Sequence, residues 1–325
     1  MKKIKVLVLL SGGLDSILAA KILGNQRIKV TALSFKSYFF NEGQARKATK
    51  NLKIPLRVVD FSKEHLEMVK SPKYGYGKAM NPCIDCHILM LKEAKKIMVA
   101  EKFNFVATGE VLGERPMSQR REILELVAKD SSLKEYLLRP LSAKLLKKTI
   151  PEKLGWIDRE KLFGISGRSR KKQLSLAKEM KISWYPAPAG GCLLTDLGFA
   201  KRLKELLKIA PKYNGNDIQL LKNGRHFQEN KIKIVVGRNK DENSKIEKIA
   251  RRKDVLIEMK NYPGPLTLVR DYSNTRAAAK GEEENLSSST RKIPQKTIKK
   301  AMEMTQFYST RARNQKNVEF FTKIV

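Results

Sequence analysis

Cysteine occurs three times in 325 residues. Two form a C-x-x-C pair in NPCIDC, as Cys83 and Cys86, and the third, Cys192, lies over a hundred residues later in PAPAGGCLLTD. So few thiols, so spaced, point to metal or redox chemistry rather than to a structural disulfide. Zinc held by the three thiolates and His87 is one such chemistry, and a thiol relay is another. A second group of residues points to phosphate. SGGLDS (11–16) supplies two glycines and two serines, and glycine lets a backbone approach an anion closely. The loop lacks the G-K-[ST] of a Walker sequence, so ordinary γ-phosphate transfer is not its natural chemistry.

These residues need a scaffold, and the patterning supplies one. KVLVLL (5–10) is an apolar run of the kind found in a strand covered on both faces. SILAAKIL has helical periodicity, so the glycine loop is expected at a strand-to-helix turn, where free helix N–H groups face an anion. KVTALSF (29–35), PLRVVDF (55–61) and NFVATGE (104–110) read as further strands, Gln44 to Lys53 and His87 to Lys102 as helices. Helical stretches near 151–163 and 170–181 lead to Cys192. The alternation predicts an α/β fold with a doubly wound parallel sheet. Asp85 is expected to cap the helix after the cysteines, and His65 and His226 are expected to be surface or packing residues.

The charge balance is extreme. Lys and Arg number 67 against 33 Asp and Glu, a net charge of +34, which suits a polyanionic partner bound by counterion release. No run approaches the ~20 apolar residues of a membrane span. The start, MKKIKVLVLL, imitates a leader but runs into SGGLDS rather than a cleavage site; a cytoplasmic chain with no membrane partner is expected.

SGGLDS in its strand–turn–helix setting resembles the pyrophosphate loop, or PP-loop, of the ATP-dependent adenylating enzymes, which cleave ATP between the α and β phosphates. The resemblance implies that Ser11, Gly12, Gly13 and Ser16 hold pyrophosphate oxygens, that Asp15 helps to place Mg²⁺, and that Ser34, Phe35 and Gly109 bound the nucleotide. Asn81, Pro82, Cys86 and Cys192 resemble the N-P-x-x-x-C segment and second cysteine of the tRNA 2-thiouridylases, with Cys83 standing where many members have Asp. The C-x-x-C pair plus one distant cysteine resembles the iron–sulfur-dependent tRNA thiolases. That implies a [4Fe–4S] cluster on Cys83, Cys86 and Cys192 with one iron open to hydrosulfide, or else a persulfide relay between Cys86 and Cys192. Either way Cys86, Cys192 and Asp15 are the catalytic candidates. The partners implied are tRNA and a sulfur donor: inorganic sulfide, a cysteine desulfurase or a sulfur-carrier protein.

VLGERPMSQRR (111–121) and RSRKK (168–172) are basic segments from which Arg115, Gln119, Arg120, Arg168 and Arg170 are expected to contact RNA. After about residue 197 the texture changes to a linking helix from Phe199 to Ile209 and short strand-like pieces, DIQLLKNGRHF, KIKIVVGRN, DVLIEMKNY and PLTLVRDY, with a helix from Asn243 to Arg252. NGRHF, VVGRNKDEN and NYPGP resemble the RNA-binding domain of the NFACT proteins, which implies an RNA-holding role for Arg225, His226, Arg238 and Asn239. The expected division is 1–197 for an ATP-binding sulfurtransferase domain, 198–273 for a linker helix and small α+β RNA-binding module, and 274–325 for a basic extension containing a helix and a last strand. A non-catalytic RNA-binding adaptor and an amidating enzyme for a small molecule are the other classes open to such a chain.

Overall fold

The structure, a computed structural model, describes residues 4–187, 191–273 and 293–325. The polar run KGEEENLSSST lies outside the described residues. The chain forms two compact units, Met1–Asp196 and Leu197–Val325.

In the first unit the elements run β1 (Lys5–Leu9), α1 (Leu14–Asn25), β2 (Lys29–Lys36), α2 (Gly43–Leu52), β3 (Leu56–Asp60), α3 (Ser62–Lys70), α4 (Cys83–Ala100), β4 (Phe105–Thr108), α5 (Arg121–Asp130), β5 (Leu137–Leu138), α6 (Ile150–Lys153) and α7 (Lys171–Glu179). The five strands form one sheet in the order β3-β2-β1-β4-β5, and every adjacent pair is parallel. The order reverses between β1 and β4, so the crevice beyond the carboxyl ends of those two strands is where a ligand of this sheet type sits. Two apolar clusters cover the two faces. One packs Val6, Val8 and Ala107 against α1, α2 and α7 through Ile17, Ala48 and Leu176. The other packs Leu7, Leu33 and Val106 against α4 and α5 through Leu91 and Val127. Burial on both faces explains why β1 reads as an unbroken apolar run.

The second unit runs α8 (Leu197–Ile209), α9 (Gly215–Leu221), β6 (Arg225–Glu229), β7 (Ile232–Val236), α10 (Lys240–Ile249), β8 (Val255–Met259), β9 (Thr267–Asp271), α11 (Gln295–Phe307) and β10 (Phe320–Ile324). Its strands form an antiparallel sheet in the order β10-β8-β9-β7-β6. DIQLLKNGRHF is not one strand. Its first half belongs to α9, capped by Asn214, whose side chain accepts from Asn216 and Asp217 N–H, and only the second half enters β6. One face of the sheet packs on Ala301 of α11 through Ile234, Val236 and Ile257. Toward α9, Arg270 is fully buried and ion-paired to Asp254 and Asp217 at 2.7 and 2.9 Å, which keeps its charge compensated.

Candidate active site

Ser11 to Ser16 occupy the switch point. β1 hands over to the loop through Leu10, whose N–H donates to Leu33 O at 2.8 Å. Gly12 has φ +88°, and a Cβ there would lie 2.4 Å from a Gln44 backbone carbon, so no other residue fits the turn. The Ser16 hydroxyl donates to Gly13 O at 2.8 Å and Gly13 N–H to Ser11 Oγ at 3.3 Å. No side chain caps α1; its first N–H groups are therefore available to an anion. Gly109 closes the other wall: a Cβ on it would stand 2.5 Å from backbone atoms of Asp15 and Ser16. β4 and the loop touch backbone to backbone.

Asp15 begins α1 with a half-buried carboxylate whose Oδ1 has no partner among the described residues. Burial raises its pKa, while Arg170, Gln173 and Arg115 nearby pull it back. Glu114 is raised by burial and then by the charge of Asp15. Two carboxylates thus share one site, flanked by Arg115 and Arg170, and Arg170 Nε is likewise buried without a partner. This donor set suits Mg²⁺, which takes one or two carboxylates and completes its shell with phosphate oxygens and water. Glu114 did not stand out in the sequence, because its nearness to Asp15 arises only from the fold.

The cysteines are brought together from two segments. α4 begins at Cys83, earlier than the sequence suggests, so Cys83 and Cys86 lie one turn apart on the same helical face. Cys192 N-caps the short 3₁₀ turn Leu193–Thr195, and two backbone bonds dock that turn beside α4: Leu193 N–H to Phe39 O at 3.0 Å and Met80 N–H to Leu194 O at 3.1 Å. Burial, and then the charges of Cys192, Cys83 and Asp85, push the Cys86 thiol well above its ordinary value. Cys192 is pushed up to about 11, chiefly by burial, with Cys83 adding to it. Asp85 is not a helix cap. Its carboxylate accepts from Lys73 N–H and Tyr74 N–H at 2.9 and 3.1 Å and so ties the preceding loop to the helix.

Two histidines divide differently from the expectation. His87 Nδ1 lies 3.0 Å from Glu110 Oε1, so one of its two ring nitrogens is engaged with that carboxylate. Glu110 also accepts from Arg139 Nε and Thr108 Oγ1, both at 2.9 Å. Burial alone would raise the Glu110 pKa, but the Arg139 guanidinium and His87 hold it well below the carboxylate range. His65, expected to be surface or packing, is fully buried with its Nε2 3.2 Å from Cys86 Sγ, and burial lowers its pKa to about 4. Among the described residues no group of three or more His, Cys, Asp or Glu has the arrangement of a metal site. The three thiols have the right chemistry for an iron–sulfur cluster without standing as a closed ligand set.

The other expected positions fall as follows. Ser34 is buried in β2, and the Phe35 ring packs tilted against Phe61 in the core, centroids 4.9 Å apart, so Phe35 offers the crevice only its backbone. Gln119 is buried and its Oε1 accepts Arg115 N–H at 3.0 Å, closing its own turn. Arg115, Arg120 and Arg168 are exposed. In the second unit Arg225 lies over Tyr308 at 4.6 Å. Arg238 pairs with Glu242 at 3.0 Å, and Asn239 caps α10 by accepting Glu242 N–H at 3.0 Å. His226 is lowered to about 3 by burial and then by Lys233, which makes it a neutral group.

Residues 4–161 match the family model of the tRNA methyl transferase HUP domain. The first unit is a HUP fold of the PP-loop type. Residues 224–281, which include most of the antiparallel sheet, match the NFACT protein RNA binding domain. Beyond the HUP unit alone, a tRNA-specific 2-thiouridylase MnmA of Karelsulcia muelleri is 26% identical over 247 residues, 72% of this chain and 62% of that protein. The namesake from Sulfurimonas denitrificans is 35% identical over 119 residues, 33% of this chain and 35% of that protein. The chain thus spans less than two thirds of the length of these relatives. Among solved structures, a 4-thiouridine synthetase–RNA complex with bound ATP is 21% identical, with a TM-score of 0.36 over 55% of this chain and 51% of that one. Among the described residues no helix is long and apolar enough to cross a membrane.

Proposed function

We propose that the chain is an ATP-dependent tRNA uridine sulfurtransferase. A uridine carbonyl oxygen attacks the α-phosphorus of ATP, and pyrophosphate leaves into the loop of Ser11, Gly12, Gly13 and Ser16. Asp15 and Glu114 would hold Mg²⁺, which when bound neutralises charge on the phosphate oxygens. Arg115 and Arg170 stand at the same phosphates, while the backbone at Ser34, Phe35 and Gly109 bounds the nucleotide. The outer sulfur of a persulfide on Cys86 then attacks the activated carbon, and AMP departs. The Cys192 thiolate attacks the inner Cys86 sulfur, which releases the thiocarbonyl and forms a Cys86–Cys192 disulfide. Hydrosulfide attack on that disulfide restores the Cys86 persulfide and the Cys192 thiolate, so each turn balances with sulfide as the sulfur source; the free thiols enter the cycle once, by exchange with a low-molecular-weight disulfide that oxidises them to the Cys86–Cys192 disulfide and is itself reduced to two thiols. Arg120, Arg168, Arg225 and Arg238 contribute phosphate contacts to the RNA.

The observation that supports this reading is a short chain of contacts from sulfur to phosphate loop. Cys86 adjoins His87, His87 meets Glu110, and Glu110 adjoins Gly109, which abuts Asp15 and Ser16. Holding both reactants at one sheet edge supplies much of the rate. Anaerobic incubation of protein first oxidised with a low-molecular-weight disulfide, then freed of it, with tRNA, ATP, Mg²⁺ and sulfide, followed by nucleoside digestion, tests it: a thionucleoside and equimolar AMP are expected. RNA binding with no AMP release would point to the adaptor reading instead.

One observation favours a second form of the same activity. Cys83, which a two-thiol relay does not need, sits with the other two thiols. Cys83, Cys86 and Cys192 would be the ligands of a [4Fe–4S] cluster, whose open iron supplies a place for hydrosulfide. Iron content of anaerobically purified protein separates the two: about four irons per chain for the cluster, none for the relay.

A further inference from the structure

Two of the three sulfurs have a side-chain nitrogen beside them. Asn81 Nδ2 donates to Cys83 Sγ, and His65 Nε2 lies against Cys86 Sγ, each at 3.2 Å. His65 is the less expected of the two. It comes from α3, on the far side of the loop that precedes α4, and its ring is enclosed by aromatic side chains: stacked on Phe61 at 5.0 Å, and edge-on to Phe40 at 5.3 Å and Phe39 at 5.5 Å. A phenylalanine would fill that cage without bringing a polar atom into it, so packing alone gives no reason for an imidazole. The cage fixes the ring plane, and the one polar neighbour it leaves for Nε2 among the described residues is the Cys86 sulfur. Nδ1 has no partner among the described residues. A proton on Nδ1 would be a buried donor with nothing to bond; a proton on Nε2 is used. The second tautomer is assigned on that ground.

We propose that His65 is a positioning residue for sulfur transfer: it donates Nε2–H to the Cys86 sulfur and fixes that sulfur's orientation, while Asn81 does the same for Cys83. The inference rests on the reading of Cys86 as the sulfur-carrying residue. The hydrogen bond occupies one sulfur lone pair and so fixes the direction in which the sulfur can react. The ring that supplies the hydrogen bond is itself immobilised by its aromatic cage.

The test compares His65→Phe, which keeps the ring and loses the donor, with His65→Gln, which keeps an N–H at about the reach of Nε2. His65→Asn, whose amide is one methylene too short, is the third variant. Two quantities are read: thiolation kinetics, and the rate at which the small reagent methyl methanethiosulfonate modifies Cys86 relative to Cys83, by peptide mass spectrometry. Loss of the donor is expected to lower kcat by about 10- to 100-fold, the range for partners that orient a reactive ligand. KM for tRNA and ATP stays within about twofold, because ground-state binding is untouched. Cys86 modification slows relative to Cys83, and His65→Gln recovers most of both losses. Equal behaviour of the Gln and Phe variants, or of the Gln and Asn variants should the Phe variant not fold, overturns the proposal. A Cys86→Ser protein that still thiolates tRNA would sink the parent reading instead, and the modification rates would still decide whether the His65–Cys86 bond exists.

Discussion

Gly109→Ala places one methyl group between β4 and the phosphate loop, and its effect follows from the geometry. The added Cβ would sit 2.5 Å from the Asp15 carbonyl carbon and the Ser16 nitrogen, and 2.6 Å from Asp15 O. An ordinary contact needs about 3.5 Å, so the start of α1 or the end of β4 must move by about 1 Å. Both are backbone in a packed core, and overpacking of this kind costs about 1–3 kcal/mol. In a unit of this size that is a fall in Tm of about 2–12 °C. The functional cost is larger, because a displacement of about 1 Å at a reacting group is worth roughly 100-fold in rate. Thermal melts with and without ATP, together with single-turnover thiolation, separate the two effects. The expected result is a modest loss of stability, a much reduced ATP-dependent rise in Tm, and a rate down by about two orders of magnitude. A Gly109→Ala protein with the wild-type Tm, ATP response and rate would show that loop and strand do not touch as described.

Other perturbations separate the parts of the site. Arg139→Leu leaves the Glu110 carboxylate buried without its main partner and should cost about 3–5 kcal/mol by chemical denaturation; pairing it with Glu110→Gln should recover much of that. Because the Glu110 pKa is depressed in the fold, its stabilisation is complete above the unfolded value of about 4.3 and is lost as pH falls below it. Glu110→Gln should therefore flatten the acid limb of the stability profile below about pH 4.3, and an unchanged limb would contradict the burial and pairing described. Arg170→Ala should raise KM for ATP by about tenfold or more, the value of a charge-assisted bond, with little change in KM for tRNA; the reverse pattern would return Arg170 to the RNA. Asn239→Ala should weaken α10 by about 1 kcal/mol, seen as faster hydrogen exchange across Lys240–Ile249 in the full chain with ATP binding intact.

The strands and the main helices of the HUP unit were legible because burial on both faces writes an apolar run and the intervening helices write their own period. The loop was legible for the same reason: SGGLDS is bounded by a strand and a helix. What escaped the sequence was whatever depends on two remote segments meeting. The cage around His65 is assembled from Phe39, Phe40 and Phe61, so nothing adjacent to His65 announces that its nitrogen faces a thiol. Glu110 finds Arg139 across 29 residues, and Glu114 acquires Asp15 as a charged neighbour from a distant part of the chain. The start of α4 was misplaced because Pro82, not an Asn, Asp or Ser, precedes its first turn, and Asp85 looked like the missing cap while bonding backward to residues 73 and 74. The DIQLL segment read as a strand because its β-branched and apolar residues alternate. Its capping residues at Asn214 and Asp217 were the signal for a helix.

The central claim is that thiols from two segments deliver sulfur to a carbonyl activated at the glycine loop. Single-turnover reactions with ³⁵S-sulfide, ATP and tRNA test it directly when run side by side on the wild-type protein, Cys86→Ser and Cys192→Ser, each first oxidised with a low-molecular-weight disulfide. The account predicts labelled thionucleoside with equimolar AMP from the wild type, and no labelled nucleoside from either variant. Label transfer that persists undiminished in both variants, or that proceeds without AMP, would contradict it.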